Sequence, residues 1–173
     1  MAKVGIVMGS DSDWPVIESG LRLLWEFGVE SEVLVASAHR TPEVVRDFAS
    51  SAKEKGFEVL IAVAGAAAHL PGVVASVTTL PVIGVPVSGS ALRGIDALLS
   101  IAQMPPGIPV GTMAIDGGKN AALYALSILA LKNEALAKRL LDFRSAQAEE
   151  VSKKNRALQE KIKETAKDTR QTT

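Results

Sequence analysis

Five apolar runs rich in β-branched residues mark out residues 3–115: KVGIVM at 3–8, EVLVA at 32–36, EVLIAVA at 58–64, PVIGVPV at 81–87 and PVGTMAI at 109–115. Their apolar residues are near-continuous rather than alternating, the pattern of strands covered on both faces. Helical patterns separate them. Residues 14–28 carry Pro15 where a first helical turn tolerates it and Gly28 where a helix stops. Residues 41–56 repeat the design, with Thr41 as cap, Pro42 and Glu43 in the first turn and Gly56 as the stop. Further helical stretches cover 68–78, 91–104 and 119–130. Strand alternates with helix, so the expected class is α/β with a parallel sheet. Right-handed crossovers make that sheet doubly wound.

At 173 residues the chain fits one α/β domain, expected over 1–132, followed by a helical extension over 133–173. From Asn133 onward the composition shifts to Ala, Glu, Lys, Arg and Gln. Leu136, Leu140, Phe143, Val151, Leu158 and Ile162 form a narrow apolar stripe on a long helix. Such a helix either lies on its own domain or crosses to another subunit. Its length favours the crossing, hence a homo-oligomer. The closing KDTRQTT reads as a frayed end. The formal net charge is zero, which argues against nucleic acid as a partner. No cysteine is present, so disulfides, thiol nucleophiles and cysteine-held metals are excluded. The opening MAKVGIVMGS has too short an apolar run for a signal peptide or a membrane span. The expected location is the cytoplasm, with no membrane partner.

Each strand runs into a turn of small or polar residues: GSDSDWP, SAHRTP, GAAAHLPG, SGSALRG and DGGKNA. In an open parallel sheet these turns share the carboxyl edge of the strands, where ligands bind. Both histidines of the chain, His39 and His69, fall there, together with Arg40, Arg93 and Lys119. In GSDSDWP, Gly9 permits close approach of backbone, and Ser10 and Ser12 offer hydroxyls before a helix N-terminus. The turn is neither a dinucleotide nor a Walker fingerprint. Asp11 and Asp13 would repel a phosphate in contact. One of them can accept from sugar hydroxyls, or Ser12 or Asp13 can simply cap the helix. Arg40 can grip a phosphate bidentately or make a surface salt bridge. His39 offers an imidazole, the side chain that changes charge near neutrality, or is a turn residue bonded to backbone. The stretch Ala64–Ala68 has almost no side chains. It suits either a wall around a flat ring or tight helix packing. His69 is structural or belongs to the same site. The histidines lie thirty positions apart without a carboxylate pair at ligand spacing, which makes a metal site a poor fit. No nucleophile elbow is present for Ser-His-Asp chemistry. The residues by themselves therefore describe a cofactor-free site for a phosphorylated, sugar-bearing small molecule with a histidine available for proton transfer.

Taken together and in this order, GSDSDW, SAHRTP, AGAAAHLPG, LLSIAQMPPGIPVGT and GGKNAALYALSIL closely resemble the N5-carboxyaminoimidazole ribonucleotide mutase family of purine biosynthesis, from about Val4 to Ala130. The resemblance implies a three-layer, flavodoxin-like domain. It implies a homo-octamer with sites near subunit boundaries, and neither metal nor organic cofactor. It also implies a reaction that moves a carboxylate from the exocyclic nitrogen of a phosphorylated ribonucleotide to ring carbon C4. By motif, Ser10, Ser12 and Asp13 match the first substrate loop, with Asp13 on the ribose. Ser37 and Arg40 match the phosphate-facing residues, and His39 the general acid/base. Ala64, Gly65, His69 and Leu70 match the wall around the base. Three places depart from the family pattern. Ala66 stands where the usual Ala-Gly-Gly-Ala-Ala-His has its second glycine. SGS at 88–90 replaces a Gln-Ser-Lys type sequence, and IDGGKNA differs slightly in spacing. None removes an expected catalytic side chain. A related branch carboxylates the aminoimidazole directly with carbon dioxide and tends to carry lysine after the histidine. Arg40 points to the mutase branch. A non-catalytic nucleotide-binding module is the remaining alternative.

Overall fold

A computed structural model describes residues 2–171. The chain divides into two compact units, residues 1–133 and the helix that begins at Glu134. In the first unit, β1 (Lys3–Met8), β2 (Glu30–Val35), β3 (Val59–Gly65), β4 (Val82–Val87) and β5 (Gly111–Thr112) form one all-parallel sheet in the order β2-β1-β3-β4-β5. The helices are α1 (Trp14–Glu26), α2 (Pro42–Ser50), α3 (Leu70–Ala75), α4 (Ile95–Ala102) and α5 (Gly118–Ala130). The second unit is α6 (Glu134–Gln171). The expected doubly wound, flavodoxin-like α/β class is the one found, with helices on both faces of the sheet. The order reverses between β1 and β3, which creates the crevice where ligands of such sheets bind.

The burial of the strands follows their composition. β3 and β4 are buried almost throughout, and Val45 and Phe48 of α2, Leu70 and Val74 of α3 and Ile101 of α4 pack on one face of the sheet. β2 departs from the expected two-sided cover. It is an edge strand, and Val33 and Val35 are 36% and 51% exposed. β5 is also shorter than the apolar run that suggested it. Pro109 has no N–H to give a ladder, and only Gly111 and Thr112 pair in register with β4. The chain stays alongside through Met113 N–H to Gly84 O (2.9 Å) and Asp116 N–H to Pro86 O (2.8 Å). α2 stops at Ser50 rather than near Gly56, and the residues between are turns. The end of α1 matches its sequence signal: Gly28 has φ 72°, and Val29 N–H returns to Leu24 O at 2.9 Å. The segment expected to fray is helical as far as Gln171, and Thr172 and Thr173 lie outside the described residues.

On the sheet's other face α1 and α5 cross at backbone contact. A Cβ on Gly118 would fall onto the Val16 carbonyl oxygen, and one on Gly20 onto the Gly118 carbonyl. Both partners are backbone, so neither can swing aside. Gly118 is the first residue of α5, so alanine there gains less than the roughly 1 kcal/mol of a helix interior, against about 2–3 kcal/mol of overpacking. The expected net loss, about 2 kcal/mol, lowers the melting temperature by roughly 4–8 °C in a chain of this size. Calorimetry on the purified variant checks this, and an unchanged Tm would mean that the two helices are not packed so closely.

Candidate active site

The ends of β1, β2 and β3 carry the expected site residues, and backbone bonds hold them level. Gly9 N–H donates to Val63 O (3.0 Å) and Ala36 N–H to Met8 O (2.9 Å). Each strand therefore releases its turn at the same height. The turns enclose an open cavity of about 430 Å³, a size suited to a small organic ligand.

The first turn opens with a short 3-10 helix, Asp11–Asp13, capped by Ser10. Ser12 Oγ donates to Ser10 Oγ at 2.8 Å, and both serines line the cavity. The two aspartates separate cleanly. Asp11 is spent within the loop, where its Oδ1 accepts Ser12 N–H (3.0 Å) and Ser10 Oγ–H (3.1 Å). Asp13 lines the cavity, is only 7% exposed, and accepts Ser10 N–H at 3.1 Å through Oδ2. Burial pushes its carboxyl above the ordinary aspartate value. The Ser10 N–H works against that rise, and the nearby Asp11 charge adds to it. A ligand hydroxyl donating to this carboxylate would relieve its desolvation. Asp13 stands at the N-cap of α1 but makes no side-chain cap bond to it; its carboxylate instead closes the capping box of the short 3-10 helix through Ser10.

The second turn brings Ser37, His39 and Arg40 to the cavity. Ser37 Oγ accepts the N–H of His39 (3.3 Å) and of Arg40 (3.2 Å). Among the described residues no carboxylate pairs with Arg40, so the salt-bridge alternative is not realised and the guanidinium is free for an anion. The third turn supplies Ala64, Gly65, His69 and Leu70. Between them Ala66 and Ala68 take left-handed backbone, φ 51° and 39°, in a turn closed by Ala68 N–H to Gly65 O at 3.0 Å. Such a conformation costs a Cβ-bearing residue about 1 kcal/mol or more. Glycine takes this conformation without that cost, and this chain carries alanine at both positions.

The histidines meet across the cavity. His39 Nε2 and His69 Nδ1 are 2.8 Å apart, with ring planes at 81°. One nitrogen must donate and the other accept. The pair therefore shares a proton on the line between the rings, and His69 holds the His39 imidazole in one orientation.

All ten residues expected at the site line this one cavity. Arg93 and Lys119, on the same sheet edge, do not. Ser90 is not in the wall either: its hydroxyl donates to Asp96 at 2.8 Å at the start of α4. Val87 and Gly89 are in the wall and were not foreseen. Val87 reads in sequence as an ordinary core strand residue. Its register opposite Gly65, which has no side chain to cover it, exposes it to the cavity. Among the described residues no three of His, Cys, Asp and Glu cluster as metal ligands would.

A sequence profile of the AIR carboxylase family matches residues 3–150. The chain belongs to this family. Among AIR carboxylase relatives, the N5-carboxyaminoimidazole ribonucleotide mutase of Methanocaldococcus jannaschii is 57% identical over 159 residues, which cover 92% of this chain and 96% of that one. The proteins of the same name from Pyrococcus horikoshii and Thermotoga maritima are 54% and 50% identical over 157 and 160 residues. These alignments cover 91% and 92% of this chain, and 89% and 94% of the two relatives. The crystal structure of Treponema denticola PurE, 28% identical, superposes with a TM-score of 0.79 over 88% of this chain and 96% of its own.

Proposed function

We propose that the chain is an N5-carboxyaminoimidazole ribonucleotide mutase, an isomerase of purine biosynthesis that produces 4-carboxy-5-aminoimidazole ribonucleotide. The observation that carries this reading is the meeting of residues from three separate turns, identified by motif, in one cavity. Relatives bearing that name match nine tenths of the chain.

The chemistry asks little of the protein. Protonating the carbamate nitrogen breaks its bond to the carboxylate and releases carbon dioxide. The electron-rich C4 attacks the released molecule, and the C4 proton leaves. One bond to carbon replaces another, and the proton taken at nitrogen is returned from carbon. The site must hold carbon dioxide beside C4, exclude water and carry that proton. His39 is the proton carrier in this reading, oriented by His69. Ser37 and Arg40 hold the phosphate, Asp13 the ribose, with Ser10 and Ser12 beside it. Ala64, Gly65 and Leu70 border the base. No metal or organic cofactor takes part.

The competing reading is direct carboxylation of the aminoimidazole. Each substrate is given separately: the N-carboxylated nucleotide, and aminoimidazole ribonucleotide with bicarbonate. Efficient turnover of the first supports the mutase. Efficient turnover of the second alone overturns it, and turnover of neither supports a non-catalytic binding module.

Assembly belongs to the same proposal. Val151, Leu158 and Ile162 of α6 are 66%, 54% and 51% exposed within one chain, on a single stripe. We expect this stripe to be buried on a neighbouring subunit of a homo-octamer, in the cytoplasm. Light scattering is expected to give eight chains per particle. A stable, active monomer would remove the claim.

A further inference from the structure

Threonine before a helix ordinarily turns its hydroxyl onto a free N–H of the first turn. Thr41 occupies that place ahead of α2, yet its side chain makes no such bond. Its Oγ1 reaches back to Ser37 instead, accepting the Ser37 N–H at 2.9 Å and donating to the Ser37 carbonyl at 3.2 Å. The Thr41 N–H also bonds that carbonyl, at 2.9 Å. One residue thus secures both backbone polar groups of Ser37. The Ser37 hydroxyl in turn accepts the N–H groups of His39 and Arg40. With its oxygen so engaged, its hydrogen is left to donate to a ligand.

We propose that Thr41 is a positioning residue for the reaction. Its hydroxyl clamps Ser37, and through Ser37 it fixes the backbone that carries His39 and Arg40. The proposal rests on the reading of those two side chains as proton carrier and phosphate anchor. The sequence motif hides this role, because a threonine before Pro-Glu reads as a helix cap.

Thr41→Val removes the hydroxyl and keeps the volume and the branched, stiff side chain. It is expected to lower kcat/KM for the ribonucleotide by about ten- to a hundred-fold, as small displacements of reacting groups do. Both kcat and KM move, since the clamp serves the proton carrier and the phosphate anchor together. Thr41→Ser restores the hydroxyl and is expected to recover most of the activity. A purely structural role would lower the melting temperature and leave kcat per folded enzyme unchanged. Wild-type kinetics in Thr41→Val, or equal impairment in Thr41→Ser, overturns the clamp. If Thr41→Val does not accumulate as folded protein, Thr41→Ala against Thr41→Ser puts the same question. His39→Asn assayed alongside separates two failures. Loss of turnover there with none in Thr41→Val discards the clamp and keeps the site. Normal turnover in His39→Asn discards both.

Discussion

Arg40→Ala is expected to weaken binding of the ribonucleotide by on the order of 2–5 kcal/mol, roughly thirty-fold or more in affinity. Arg40 lines the cavity with no carboxylate partner among the described residues. Its whole charge is thus available to the phosphate, and its planar fork can bond two oxygens at once. It is exposed in the free protein, so the loss falls toward the low end unless the bound nucleotide desolvates the pair. The control is the dephosphorylated nucleoside, whose binding is expected to be the same in wild type and variant. Calorimetric titration of both ligands checks this. Equal weakening for the two would refute phosphate contact by Arg40.

His39→Asn is expected to leave fold, assembly and nucleotide binding in place and to lower turnover by roughly 10²–10⁴, the usual contribution of a general acid/base. The asparagine amide is polar but ends short of the Nε2 position that meets His69, and it cannot take up and return a proton. In the proposed reading His69 has a narrower part. Its Nδ1 sits 2.8 Å from His39 Nε2 and fixes that ring. An asparagine amide stands near that Nδ1 position, so His69→Asn is expected to keep part of the orientation and to cost less. The measurement is interconversion of the two carboxylated nucleotides by wild type and both variants, with binding followed separately. Near-normal turnover in a folded His39→Asn would mean that the proton travels another way.

Much of this site was readable because the geometry of a parallel sheet does most of the work. Once 3–8, 32–36 and 58–64 are read as parallel strands, their following turns must share one edge. That alone brings Asp13, His39 and His69 into one neighbourhood. What the sequence hid depends on contacts across it. No spacing rule shows that the two imidazoles touch, because they are thirty positions apart with α2 and β3 between them. Nothing local distinguishes Asp11, consumed by its own loop, from Asp13, buried in the cavity. Thr41 has the sequence context of a cap, and only the fold shows its hydroxyl turned back to Ser37. β2 carries the same apolar residues as a central strand, yet the topology leaves it at the edge. β5 was overread because an apolar run that follows Pro109 forms a two-residue ladder.

The most direct test of the account is a crystal structure with 4-carboxy-5-aminoimidazole ribonucleotide bound. The account places the phosphate on Ser37 and Arg40, a ribose hydroxyl on Asp13, and C4 with its carboxylate beside His39 against the Ala64–Gly65 wall. A nucleotide bound outside this cavity, or one whose phosphate lies away from Arg40 with C4 out of reach of His39, would contradict it.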